Sequence, residues 1–322
     1  MLEKKYDVTA LGEILIDFTF AGRTKSGTAL FEQNPGGAPA NVLSAVTRLG
    51  GKTAFIGKIG KDMHGAFLRE TLVANGIDAH ALRETDKVFT TLAFVALDEK
   101  GDRSFSFARK PGADTQLCAD ELDREMIASS MIFHVGSLSL TDEPARGTTL
   151  SALCIAKEHG LVISYDPNYR AALWESREAA IEGMKLPLPF VDVIKISDEE
   201  GALLTGEKTV EGAARAFLEM GISCVLVTMG EKGAYVAGKN GACYCPAFAS
   251  DVVDTTGAGD SFMGAFLYKL SSCDKQPAEL SAKDIADFAH FANAAAALCV
   301  GKRGGMNAMP EKGEVEALLN GR

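Results

Sequence analysis

The sequence predicts an α/β fold, a doubly wound, mainly parallel sheet with helices on both faces. The first observation is a regular alternation of helical and extended patterns from residue 120 onward. Strands that alternate with helices form parallel sheets covered on both sides. The second is a pair of segments, approximately 12–35 and 88–112, that lack helical periodicity. We expect them to form a small β-sheet lid within a single domain spanning 1–322.

The elements follow from periodicity in chain order. The first part contains strand 6–11, a helix after residue 41 that Gly50-Gly51 ends, strand 53–59 and a helix over 61–75. Helix–strand pairs then follow at 120–129 and 131–135, 143–158 and 161–165, 176–185 and 191–196, and 209–220 and 222–228. A hairpin at 234–237 and 243–246, helices near 260–271 and 282–300, and a short final helix complete the prediction. A turn at 99–102 is expected to join two strands of the lid.

Composition excludes several classes of protein. The 322 residues are 47% hydrophobic, enough for a large core, and the net charge is −10. An acidic chain without a basic stripe is not expected to bind nucleic acid. No apolar run reaches 18 residues, the N-terminus has no apolar signal core, and seven cysteines are an odd number. We therefore expect a cytoplasmic protein with reduced thiols and no membrane partner.

The segment 254–266 combines a tight turn with a carboxylate. Small residues at 257–259 precede Asp260, and an apolar helical pattern follows. Amides at a helix N-terminus carry partial positive charge, so the turn suits a phosphate. Asp260 could accept a proton from a hydroxyl, and the combination indicates phosphoryl transfer to an alcohol. The alternative is an ordinary helix start capped by a preceding threonine.

Polar residues and glycines follow the predicted strands of the second half. They are Gly136-Ser137, Asp166–Arg170, Ser197–Glu200 and Met229–Gly233. Because ligands of such sheets bind beyond the carboxyl ends of the strands, we expect a cleft at this edge. The cleft favours a catalytic Asp260 over a plain helix start.

Other residues are candidates to bind a polyol or its phosphate. They are Asp17, Gly36, Gly37, Asn41, Arg109, Asn168 and Arg170. The glycines would let the backbone approach a sugar, the amides and the carboxylate would bond hydroxyls, and the arginines would contact anionic groups. Arg109, at the end of the lid hairpin, would close onto the substrate. Each also fits a plainer interpretation as a loop, a turn, an Asx-turn or a solvated charge.

Glu199 and Glu200 are candidates to hold hydrated Mg²⁺, since hard cations take oxygen ligands. Acids that open a helix also interact with its dipole, and this alternative stays open. The five histidines lack metal-ligand spacing. The Walker A pattern is absent, which argues against a P-loop kinase but not against a kinase.

Two long motifs carry a family resemblance. Residues 36–60, GGAPANVLSAVTRLGGKTAFIGKIG, and 254–266, DTTGAGDSFMGAF, resemble the N- and C-terminal signatures of the ribokinase-like PfkB carbohydrate kinases. The resemblance covers nearly the whole chain. It implies ATP-dependent phosphorylation of a sugar hydroxyl by a large α/β domain with a β lid.

The resemblance implies roles for individual positions. Asp260 is the implied base, and Gly257, Ala258 and Gly259 are the implied anion hole. The sugar side matches Asp17, Gly37, Asn41, Arg109 and Asn168, and the nucleotide side matches Thr228, Gly230, Gly233 and Asn293. A monovalent cation such as K⁺ is implied at Asp254, Thr256, Cys299 and Gly304, although Ala308 stands where some members carry a serine ligand. The magnesium motif N-x-x-E is Ser197-x-x-Glu200 here, so Glu200 keeps the metal role while the contact of the asparagine must change.

Within the family, the sequence is most similar to fructokinases. FSFARKPGAD at 105–114 and the GGAPAN form carry this likeness, whereas DPNYRAALW at 166–174 is shared with 2-keto-3-deoxygluconate kinases. The prediction is a fructokinase that uses ATP and Mg²⁺ and forms fructose 6-phosphate. The alternatives are a kinase for 2-keto-3-deoxygluconate, ribose or a nucleoside, and a sugar sensor without catalysis. Unpaired lid edges would allow a homodimer.

Overall fold

The computed structural model describes residues 4–97 and 103–321, and the predicted turn at 99–102 lies outside these residues. Within them, a nine-stranded sheet and a separate four-stranded sheet are present. The four-stranded sheet, called the small sheet below, is formed by the two segments that lack helical periodicity, as predicted.

The helices and strands alternate along the chain. The strands are β1 (Tyr6–Leu11), β2 (Leu15–Arg23), β3 (Ala29–Gly36), β4 (Thr53–Gly60), β5 (Leu82–Thr85), β6 (Leu92–Leu97), β7 (Arg103–Ala108), β8 (Ser130–Gly136), β9 (Val162–Asp166), β10 (Val193–Ser197), β11 (Cys224–Thr228), β12 (Ala234–Gly238) and β13 (Gly241–Cys245). The helices are α1 (Ala38–Arg48), α2 (Met63–Ala74), α3 (Arg124–Ala128), α4 (Ala145–Glu158), α5 (Arg177–Lys185), α6 (Asp198–Thr205), α7 (Val210–Glu219), α8 (Ala258–Ser271), α9 (Ala282–Val300) and α10 (Lys312–Leu319).

The large sheet has the strand order β13-β12-β11-β10-β9-β8-β1-β4-β5. Neighbouring strands from β11 to β5 are parallel, whereas β12 and β13 are antiparallel, which confirms a mainly parallel sheet. The chain runs outward from β1 to β4 and β5, and then returns to place β8 on the other side of β1. This reversal opens a crevice at the carboxyl ends of β1 and β8, where such folds bind ligands.

Each face of the large sheet buries a separate hydrophobic core. One core joins α1, α8 and α9 to the sheet through residues such as Val193, and the other joins α4 and α7 through residues such as Ile194. Adjacent residues of β10 face opposite cores because side chains alternate along a strand. The position between Ile194 and Ile196 therefore faces α8, which begins at the crevice.

Two parts of the predicted element order are wrong. The helix expected at 120–129 is a 3₁₀ turn, Ala119–Glu121, followed by the short α3. The Asp123 side chain accepts a hydrogen bond from the Met126 amide, and this N-cap makes the helix begin after residue 123. Strand β5 and helix α6 were not predicted as separate elements. No helix among the described residues has the length and apolar character needed to cross a membrane.

Candidate active site

The crevice contains a cavity of about 600 Å³ between the small sheet and the start of α8. The small sheet contributes Asp17 and Asn34, the start of α1 contributes Asn41, and the start of α8 contributes Gly259 and Asp260. A second cavity of about 500 Å³ lies beside it and is lined by Ser197, Glu199 and Glu200. Asn168, Arg170 and Lys195 line both cavities. The cleft predicted from the strand ends is therefore present as two adjacent cavities that share lining residues.

The start of α8 leaves backbone amides open toward the first cavity. Gly257 precedes the helix with φ 80°, a conformation that favours glycine, and no side chain caps the helix. The Ala258 amide bonds the Thr255 carbonyl, but the amides of Gly259 and Asp260 have no acceptor among the described residues. Such amides attract an anion. The predicted anion hole at Gly257, Ala258 and Gly259 thus has a suitable geometry.

Asp260 is buried, with 7% of its surface exposed, in the first turn of α8. Its Oδ2 atom accepts a hydrogen bond from Asn41 Nδ2 at 2.8 Å. Burial, followed by the neighbouring Asp166 carboxylate, raises the pKa of Asp260 to about 6, while Asn41, Lys195 and Arg170 oppose the rise. A carboxylate with a pKa close to neutral is well matched to removing a proton from a hydroxyl.

The residues predicted for the sugar side surround this carboxylate, with one exception. Gly36 makes room for Asp17, because a Cβ atom at position 36 would lie 2.1 Å from Asp17 Oδ2. Burial raises the pKa of Asp17 to about 6, although Arg170 opposes the rise. Asn168 adopts φ 45° and its amide bonds Asp166 Oδ1 at 3.1 Å in an Asx-turn. The turn aligns Asn168 and Arg170 with both cavities.

The exception is Arg109, which lines neither cavity in the structure. Its buried guanidinium is paired with Asp114 Oδ2 at 2.7 Å and donates to the Leu138 carbonyl and the Thr141 hydroxyl, each at 2.8 Å. In this structure these partners hold the guanidinium, and its expected contact with a substrate stays a prediction. The donors of Arg109 hold the end of β7 against the body of the protein. The buried Asp114 carboxylate balances the charge of the guanidinium.

Glu200 and Ser197 form a capping box at the start of α6. Glu200 Oε2 accepts from the Ser197 amide at 2.8 Å, Ser197 Oγ accepts from the Glu200 amide at 3.1 Å, and Glu200 Oε1 accepts from the Tyr169 amide at 2.6 Å. Glu200 therefore takes part in the start of α6, as the alternative interpretation expected, and it also lines the second cavity. No cluster of three His, Cys, Asp or Glu residues suited to a metal occurs within 4–97 and 103–321.

The four positions predicted for the nucleotide side line neither cavity. Thr228 ends β11, the two glycines lie between β11 and β12, and Asn293 lies on α9. Gly230 and Gly233 have φ values of 57° and 91°, and Thr228 Oγ1 donates to the Ile196 carbonyl at 3.3 Å. Asn293 Nδ2 donates to the Cys245 and Pro246 carbonyls at 2.9 and 3.0 Å. In the structure, Asn293 therefore holds the backbone at the end of β13, and Thr228 contacts β10.

The positions predicted for a monovalent cation meet beneath the start of α8. Asp254 Oδ1 accepts from the Thr256 amide at 2.9 Å, and its Oδ2 accepts from the Gly304 amide at 3.2 Å. Cys299 Sγ lies 3.9 Å from the Thr256 carbonyl oxygen. Ala308 is buried beside Cys299 in a small apolar cluster.

Two charged residues of the site were missed at the sequence level. Glu13 is buried, and its Oε1 accepts from the Ala38 amide at 3.0 Å, which supplies the cap that α1 lacks from its own residues. Burial raises the pKa of Glu13 to about 7. Lys195 is buried on β10 and pairs with Asp166 Oδ2 at 3.0 Å. A lysine between Ile194 and Ile196, inside an apolar strand, is a signal that could have identified it.

A family model described as pfkB family carbohydrate kinase matches residues 5–312 of the chain. The chain belongs to the PfkB family. Probable fructokinase-4 from Arabidopsis thaliana is 42% identical, over 98% of this chain and 97% of the relative. Fructokinase from Xylella fastidiosa with bound ATP is 32% identical, has a TM-score of 0.90, and the match covers 98% and 99% of the two chains.

A second solved structure, fructokinase from Vibrio cholerae O395 in a form with bound fructose, ADP and calcium ion, is also similar. It is 34% identical, its TM-score is 0.86, and the match covers 97% of this chain and 98% of that chain. The PfkB protein described here is an ATP-dependent sugar kinase with a ribokinase-like fold.

Proposed function

We propose that fructose is the acceptor and that this kinase converts it to fructose 6-phosphate. The observation that carries the proposal is the single cavity in which Asp260, the open amides of α8 and two hydroxyl-binding groups, Asp17 and Asn41, converge. A polyol bound between the last two would present a hydroxyl to the carboxylate. The relatives named as fructokinases support fructose over other polyols.

In the proposed reaction, Asp260 removes the proton of the primary hydroxyl as the oxygen attacks the γ-phosphorus of ATP. The bond between that phosphorus and the oxygen bridging to ADP breaks, and ADP leaves with the bridging oxygen. Asn41 holds Asp260 Oδ2 in place through the 2.8 Å hydrogen bond. The amides of Gly259 and Asp260 donate to the oxygens of the phosphoryl group as it moves between the two cavities.

The second cavity fits a hydrated Mg²⁺ on the nucleotide phosphates. Glu200 lines this cavity, and a carboxylate that accepts two amide hydrogen bonds retains lone pairs for water molecules of the metal. Mg²⁺ would neutralise phosphate charge there. The hydrogen bonds from the Ser197 and Tyr169 amides would orient the Glu200 carboxylate for this role.

Beneath α8, the Asp254 loop fits a monovalent cation such as K⁺. The Asp254 carboxylate orders the backbone of Thr256 and Gly304, and the Thr256 carbonyl oxygen lies near Cys299 Sγ. Oxygen ligands of this kind suit a hard cation. A cation there would add positive charge below the open amides of Gly259 and Asp260.

We also propose that 1–322 acts as one cytoplasmic kinase domain, with the small sheet as a lid over the sugar. A lid would exclude water and limit ATP hydrolysis. The small sheet ends in edge strand β3, where Leu30 and Phe31 are each 46% exposed. Two copies joined along this edge would cover both residues in a homodimer.

A panel of acceptors in a coupled ADP assay tests the proposed substrate. We expect the highest kcat/KM with fructose and lower values with 2-keto-3-deoxygluconate, ribose and nucleosides. A preference for 2-keto-3-deoxygluconate would replace the proposed acceptor while keeping the kinase chemistry.

A further inference from the structure

Three residues line both cavities and therefore lie where the proposed sugar and nucleotide sites adjoin. They are Asn168, Arg170 and Lys195. Asn168 is neutral, and the Arg170 side chain is exposed and donates to the Tyr169 carbonyl at 3.1 Å. Lys195 is the buried cation of this set, with 6% of its surface exposed. Its charge is therefore screened least by solvent at the junction.

The donors of Lys195 are only partly used by the protein. Among the described residues, the Asp166 Oδ2 atom is the acceptor for Nζ, at 3.0 Å. An ammonium group has three donors, so two are left for another acceptor. Burial alone would lower the pKa of Lys195. The carboxylates of Asp166, Glu200 and Asp260 have the opposite and larger effect, so the pKa is raised overall and the side chain stays charged. A buried ammonium group with unused donors favours the binding of a further anionic group beside Asp166.

The position of Nζ places that partner in the anion hole. A Cβ atom added at position 259 would lie 2.7 Å from Lys195 Nζ, so the ammonium group lies close to the Gly259 residue at the start of α8. Lys195 and Gly259 also line the same cavity, so one phosphoryl group could contact both the ammonium and the open amide. Lys195 reaches it because position 195 of β10 faces α8.

We propose that Lys195 is a catalytic residue whose ammonium group contacts the phosphoryl group during its transfer. The inference rests on the proposed phosphoryl transfer beside Asp260 and holds for any sugar acceptor. Lys195 neither gains nor loses a proton: the hydroxyl proton goes to Asp260, the new bond forms between the sugar oxygen and phosphorus, and the broken bond releases ADP. Asp166 positions the ammonium while its other oxygen holds the Asn168 amide.

The competing explanation is a structural ion pair that braces the Asp166 loop, and two variants separate the explanations. Lys195→Met removes the ammonium and leaves a buried carboxylate unpaired, whereas the double variant Asp166→Asn with Lys195→Met removes both charges. A structural pair tolerates joint removal much better than loss of one partner. We therefore expect the double variant to recover thermal stability relative to Lys195→Met.

The kinase activity of the two variants decides whether Lys195 has a catalytic or only a structural role. We expect kcat to fall about 10²–10³-fold in both variants, with the KM for the sugar changed less than kcat and ATP binding retained by calorimetry. Recovery of wild-type kcat in the double variant would overturn the proposal. Should neither variant fold, Lys195→Arg keeps the charge but moves it from the Nζ position. A kcat reduced at least tenfold in that variant supports contact, and an unchanged kcat contradicts it.

Measurements on the wild-type protein distinguish a failure of the Lys195 proposal from a failure of the proposed acceptor. Each variant is compared with wild type on the sugar that wild type phosphorylates fastest. A failure of fructose appears in wild type, whereas a failure of the Lys195 proposal appears only as full activity in the variants.

Discussion

Helices α8 and α6 begin at the same edge of the large sheet, but the backbone amides of their first turns are satisfied differently. At α6, Ser197 and Glu200 satisfy each other's amides in a capping box. At α8, Gly257 offers no side chain, and the amides of Gly259 and Asp260 stay open. A helix start closed by its own residues serves as a scaffold, whereas an open one is available to an anion. The difference indicates which start performs chemistry.

The largest effect should come from the carboxylate at the open start. Asp260→Asn keeps the shape of the side chain and removes the base, so we expect kcat to fall at least ~10²-fold. Sugar binding, measured by calorimetry, should persist because Asn41 and Asp17 remain. Near-normal turnover in Asp260→Asn would remove this residue from the role of base.

The open start should also be sensitive to a single methyl group. In Gly259→Ala the new carbon would lie 2.7 Å from Lys195 Nζ and displace the ammonium. We expect kcat to fall about 10–100-fold from this displacement, measured by the coupled ADP assay. Gly313→Ala adds a methyl where nothing lies within 4 Å and is the matched control. Equal activities of the two variants would contradict a crowded anion hole.

The pH dependence of stability is a third way to test the open start. Burial raises the pKa of Asp260 from its usual 3.8 to about 6. Between pH 3.8 and about 6, Asp260 therefore keeps a proton in the folded protein that the unfolded chain has released. The free energy of unfolding falls as the pH rises through this range. Asp260→Asn should unfold with a free energy about 1–3 kcal/mol higher than wild type at pH 8. Denaturant titrations should show this gap narrowing toward pH 5, and a gap that does not change with pH would contradict the assigned cause.

The smallest effect should come from the closed start. Ser197→Ala removes the cap of α6 and should lower the free energy of unfolding by about 1 kcal/mol. Ser176→Ala removes an equivalent cap, the bond to the Ala179 amide at 3.1 Å, from α5 and provides the comparison. Equal losses of stability are expected. An additional rise in the KM for ATP in Ser197→Ala alone would show that Ser197 also contacts the nucleotide side.

The sequence predicted the open start better than it predicted the charges around it. The glycines before Asp260 and the polar residues after each strand are local patterns, so the cleft and the carboxylate that lines it could be inferred. Arg109 could not be placed, because its ion pair with Asp114 depends on how the chain folds back after β7. Glu13 was missed for a similar reason, since it caps a helix that begins 25 residues later. Contacts of this kind depend on packing rather than on periodicity.

The hydrogen bond between Asn41 and Asp260 joins residues 219 positions apart in the chain. Asn41 belongs to the first helix, and Asp260 belongs to a helix that is synthesised only after most of the large sheet. Long-range contacts of this kind form late, since the loop between them must close first. A chain still growing on the ribosome that has not reached residue 260 therefore lacks the carboxylate that Asn41 contacts in the folded protein. The proposed active site is complete only once α8 is packed against α1, so it requires both ends of the polypeptide.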